Sequence, residues 1–167
     1  QSQDFSVTWG AIGTALTLTS GTEVLGALSL DTLDDTSATS AQGKSQTITF
    51  TGNGQKAISI FVKNGTSTSS VVRLRDNTGG ANRLLAAITW SGTTPVVTMT
   101  TGTDLTGTPE QLGSSGVYRL SFLTTTVTAA SVNVLGIFPA TDASIAVAGT
   151  GTVECGGVQA ENALVST

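Results

Sequence analysis

Apolar and polar residues alternate along most of this chain. The clearest case is GVYRLSFL at residues 116–123, where Tyr118, Leu120 and Phe122 share one face and Arg119 and Ser121 the other. A period of two predicts a half-buried strand, and a core strand is expected to be central in its sheet. Ser114, Ser115 and Gly116 mark a turn before it. Leu16 and Leu18 alternate in the same way, and a turn at Ser20-Gly21 is expected to separate them from a second strand over 23–30. Ile48 and Phe50 face one way in 46–51, and Ile58, Ile60 and Val62 in 57–63. Gly52-Asn53-Gly54 between them predicts a hairpin or a crossing at a sandwich edge.

Further strands are predicted over 71–76, 83–90, 95–100, 132–138 and 152–161. Residues 84–87 alone would tolerate a helix, but the flanking glycines and β-branched end favour extension. About ten strands, with turns at intervals of roughly 8–12 residues, predict an all-β fold. The expected form is an antiparallel two-sheet β-sandwich of the jelly-roll type. Residues 1–8 lack a pattern and are read as an N-terminal arm or a first strand; residues 9–167 form the sandwich domain.

Composition narrows the chemistry. Charged residues are only 11% of the chain, the net charge is -4, and Thr, Ser and Gly fill the polar positions. Seven scattered basic residues make nucleic acid a poor partner. There is no apolar run of about 18 residues, so no membrane helix is expected. No secretory leader is expected in this segment either. The chain has no His and one Cys, which excludes His-based triads, a disulfide within the chain and cysteine-based metal sites. No cofactor is implied.

Three groups of residues invite a functional reading. Asp31, Asp34 and Asp35 form the one acidic cluster and are weak candidates for a calcium site. Their spacing does not match an EF-hand loop, and a turn whose Asp side chains accept nearby N–H groups is the favoured reading. Trp9, beside Gly10 and Gly13, either packs in the core or offers a flat face to a ligand, with packing favoured. Arg119, set between core residues, either meets a carboxylate or lines a groove on the sheet surface.

By the C-terminus three pieces have accumulated: AISIFVKNG at 57–65, GVYRLSF at 116–122 and TGTVECGGVQAE at 150–161. Together, and in this order, they resemble the concanavalin-like jelly-roll modules of bacteriophage tail and virion proteins. Those modules read S-hydrophobic-x-hydrophobic-K-x-G, then G-W-Y-R-hydrophobic-S, then G-A-Q-hydrophobic-E. IFPA at 137–140 is similar to the family's stretch before its last strand. The resemblance spans about residues 46–161, and Tyr118, Arg119, Gln159 and Glu161 match it. Val117 and Gly156 depart from it, each standing where the family often has an aromatic residue.

The resemblance implies a non-enzymatic module on the virion surface, in a tail fibre or capsid decoration, binding host-surface carbohydrate. The alternative is a purely structural virion domain. Other virion proteins, and copies of itself in an assembly, are the expected partners. Trp90, Arg119 and Trp9 are the candidate carbohydrate-binding residues, with the sheet face around Arg119 and Trp90 as the place to look. A structural reading has Arg119 bridging to Glu161 to hold down the last strand. A glycosidase would need two carboxyl groups about 5–10 Å apart. Glu154 and Glu161, seven apart, fall on opposite faces of a regular strand, so no catalytic residue is assigned.

Overall fold

A computed structural model describes residues 5, 8–13, 16–26, 28–37, 39, 42–140 and 150–162. Among them there is no helix. The strands are β1 (Gly10–Ile12), β2 (Leu16–Leu25), β3 (Leu28–Asp35), β4 (Gly43–Ile48), β5 (Lys56–Asn64), β6 (Ser69–Asp76) and β7 (Ala81–Ser91). They continue as β8 (Thr94–Thr101), β9 (Thr103–Asp104), β10 (Glu110–Gln111), β11 (Val117–Leu123), β12 (Asn133–Ala140) and β13 (Gly151–Asn162). The first sheet has the order β1-β4-β12-β6-β7-β8; the second has β10-β11-β5-β13-β3-β2, with β9 also on β11. All pairings are antiparallel. This is the two-sheet sandwich that the alternation predicts, and its repeated crossings between sheets are compatible with a jelly roll.

The core lies between the sheets. From the second sheet come Ile58, Ile60 and Val62 of β5 and Tyr118, Leu120 and Phe122 of β11. They meet Val72 and Leu74 of β6, Leu84, Ala86 and Ile88 of β7, and Leu135 and Ile137 of β12. Within the second sheet Leu120 pairs with Ile60 and Phe122 with Ile58, so each inward row is apolar. The alternate residues Ser59, Arg119 and Ser121 are thereby turned to the outer face.

Several local expectations change. β11 pairs with β5 along its whole length but meets only the two-residue β9 and β10 on its other side. It lies near the sheet edge, and β5 and β13 hold the centre. β4 and β5 belong to different sheets, so residues 46–63 cross the sandwich rather than form a hairpin. Ser20-Gly21 is a bulge inside β2, where the register shifts between Thr19 and Glu23. Gly21 has φ +65 and its N–H donates to Asp31 Oδ1 at 2.8 Å, so the glycine serves the bulge. The hairpin between β2 and β3 turns later, at Gly26 with φ +61.

Of residues 1–8 only Phe5 and Thr8 are described, so the choice between arm and first strand lies outside the described residues. Phe5 itself is fully buried, with its ring centroid 4.5 Å from that of Trp9. Residues 141–149, between the strands expected over 132–138 and 152–161, also lie outside them.

Candidate functional site

The outer face of the second sheet carries a small, solvent-open groove over β11, β5 and β13. Ala57, Ile58, Ser59, Arg119, Ser121, Gln159 and Glu161 line it. Strand register explains the grouping. Ser121 pairs with Ser59, and Ser59 with Gln159, so three polar side chains form one row across three strands. At the inter-strand spacing this row spans roughly 10 Å. Leu123, Ala57 and Glu161 make the next row, and Arg119 stands opposite Phe61 on the other side.

A bulge in β13 places Gln159 and Glu161 here. Gly156 pairs with Phe61 and Gln159 with Ser59, so β13 spends one more residue than β5 across this interval. Gly157 takes φ +57, and a Cβ there would lie 2.6 Å from the Phe61 ring and 2.9 Å from Leu28. Gly156 is as constrained, because a Cβ would fall 2.4 Å from the Ser29 carbonyl oxygen. Backbone approach to β3, and not the loss of a sugar-stacking aromatic, accounts for glycine at that position.

The polar groups of the groove are nearly free of each other. Arg119 Nη2 donates to Ser59 Oγ at 3.4 Å, a long contact. Arg119 is exposed, and no ion pair joins it to Glu161 among the described residues. The expected Arg119–Glu161 bridge is therefore replaced by two separate charges in one groove. The last strand is held by its own ladders to β3 and β5. Glu154 forms its ion pair with Lys63 at 3.6 Å, farther along the same face.

The other predicted residues go elsewhere. Trp9 is 4% exposed and packed against Phe5 in the core, which leaves no open ring face for a sugar. Trp90 lies on β7 of the first sheet, paired with Pro95, and packs on the core from inside. Arg119 points outward from the second sheet, so the two never share a face. The Asp31–Asp35 segment is part of strand β3, not a turn. Asp31 accepts the N–H groups of Phe5 and Gly21, and Asp35 those of Ser37 and Gln42. Asp31 and Asp35 are buried, while Asp34 lies on the opposite, outer side of the strand. Asp31 and Asp35 stand four strand residues apart on the inner side, roughly 13 Å, and Asp34 faces away from both, so the three do not form a shared cage for calcium. The anchoring of N–H groups by Asp holds as expected, within a strand.

Ser59, Ser121 and Gln159 were not singled out by sequence as a set. Their shared row follows from pairing between segments far apart in the chain. Phe61, half-buried on this outer face, is an aromatic neighbour of Arg119 that composition alone did not point to.

No protein-family model and no curated protein sequence matches the chain. Solved structures do. One is the enzymatically active domain of bacteriophage CBA120 tailspike protein 4, at 16% identity and a TM-score of 0.51 over 95% of this chain. Another holds the CBM22-1 and GH10 modules of Clostridium thermocellum endo-1,4-beta-D-xylanase 10B, complexed with xylohexaose, at 13% identity and a TM-score of 0.56 over 98% of this chain. The chain spans only 20% and 27% of those two chains. At such identities the likeness is one of fold, and the fold they share with this chain is the β-sandwich.

Proposed function

We propose that this is a non-catalytic module of a bacteriophage virion surface, which contacts host-surface carbohydrate through the groove on the outer face of the second sheet. One observation carries the reading: Arg119, Ser121, Ser59, Gln159 and Glu161 converge there with a single weak bond among them. Donors and acceptors left open across three neighbouring rows of one groove suit the hydroxyl groups of a saccharide. The mixture of one cation and one carboxylate, without a dominant sign, suits a neutral polyol. The likeness to a tailspike domain and to a xylanase with a CBM22 module supports the setting by analogy of fold. Among the described residues Glu161 is the sole carboxylate lining the groove, whereas hydrolysis of a glycosidic bond requires two.

The test is a glycan array followed by calorimetry on the best ligand. Arg119→Ala and Gln159→Ala are expected to abolish binding while the melting temperature stays unchanged. Binding that survives both substitutions would move the site elsewhere, and release of reducing sugar would make the module an enzyme.

A second reading is a structural virion domain that works through contact with neighbouring chains or copies of itself. It is favoured by Leu105 and Leu112, large apolar residues exposed near the β9–β10 edge. Absence of binding to any host glycan, with the groove covered in an assembled particle, would leave this reading alone.

A further inference from the structure

The seven cationic side chains of the chain do not share one fate. Lys44 donates to the Trp9 carbonyl, Lys56 to Asn162 Oδ1, and Arg119 to Ser59 Oγ. Lys63 pairs with Glu154, and Arg83 with Asp76. Arg73 and Arg75 are the remaining two, and neither bonds to an oxygen among the described residues. They stand two residues apart on β6, in the middle of the first sheet, and both face outward because Val72 and Leu74 face the core. Strand geometry puts their Cα atoms roughly 7 Å apart.

This arrangement is costly as it stands. Arg73 is half-buried, its Nε is shielded from solvent and lacks an acceptor, and its Cζ lies 5.2 Å from the Phe138 ring centroid. Burial, and then the charge of Arg75, pull the Arg73 guanidinium below its ordinary range. Asn82, paired opposite Arg75, also has a shielded Oδ1 without a donor. Two like charges stand side by side, one of them over an aromatic ring, and among the described residues no carboxylate pairs with either.

We infer that Arg73 and Arg75 form a binding site for an oxyanion, a sulfate or carboxylate group, on the face of the sandwich opposite the groove. Phe138 packs against the Arg73 guanidinium, and the two forks supply the donors. The site is independent of the carbohydrate groove, and either can fail without the other.

The probes are inorganic sulfate and glucuronate, each titrated against sodium chloride at matched ionic strength, with backbone amide shifts recorded by NMR. Saturable shifts centred on 71–75 and 82–85 are expected with at least one of the two. Arg75→Gln is expected to weaken that binding by about tenfold or more. Lys63→Gln, which removes a cation on the other sheet, is expected to leave it unchanged. Arg73→Gln serves as a second variant, and unchanged amide spectra away from β6 report that the fold is intact. Sulfate binding alone would assign the site to a tetrahedral oxyanion, and glucuronate binding alone to a carboxylate. Shifts no larger than those in chloride, or equal binding by Arg75→Gln, would overturn the inference.

Discussion

Glu154 and Glu161, seven residues apart in one strand, face the same side of the second sheet. Glu154 pairs across β5 with Lys63 and Glu161 with Ala57, both outward positions. A regular strand would have set them on opposite faces; the bulge at Gly157 adds the residue that restores the phase. Six residues of β5 separate their rows, which is roughly 20 Å and too far for a shared glycosidic bond.

The bulge gives the first prediction. Gly157→Ala should destabilise the domain by about 1–3 kcal/mol, since alanine must hold a left-handed φ with its Cβ against the Phe61 ring. Urea denaturation measures this. A midpoint equal to that of the wild type would show that the strand relaxes without cost.

Leu120 is fully buried and pairs with Ile60 at the middle of the core. Leu120→Ala should cost about 2–5 kcal/mol, the range for a large-to-small change at a site that cannot collapse. Arg119→Ala, one position along on the outer face, should leave the denaturation midpoint nearly unchanged. Similar losses in the two variants would contradict the alternation of faces.

Asp76 carries a pH dependence. The Arg83 side chain at 2.8 Å, and then the Gly79 N–H, hold its carboxyl below the usual carboxylate range. A carboxyl depressed in the folded state binds protons more readily when unfolded. Its stabilisation is therefore present above the unfolded value near pH 4, and is lost as pH falls through the lower folded value. Asp76→Asn should flatten the acid limb of a stability–pH profile, and an unchanged slope would remove Asp76 from the account.

Cys155 is fully buried, and burial, followed by the charges of Asp31 and Glu154, pushes its thiol well above the ordinary range. It should resist Ellman's reagent in the native protein at pH 8 and react fully in denaturant. Rapid labelling of the native state would place the thiol at the surface.

The sequence by itself determined the class of fold and the inward faces of most strands. A period of two is a local property, so Tyr118, Leu120 and Phe122 could be assigned to the core from eight residues. It also placed Arg119 on the outward face for the same reason, while leaving open whether it meets a carboxylate or lines a groove. What it could not reach depends on pairing between distant segments. The sequence pairs Trp90 and Arg119 as candidates for one sheet face, yet β7 and β11 belong to different sheets. The Asp31–Asp35 segment has the composition of a turn because Asp is rare in strands, but backbone N–H groups of residues 5, 21, 37 and 42 supply the carboxylates of Asp31 and Asp35 with partners. The row Ser121–Ser59–Gln159 exists only once β11, β5 and β13 lie side by side, and the phase of its last member is set by one extra residue at a bulge. Local alternation decides which way a side chain points; only the register of the assembled sheets decides what it points beside.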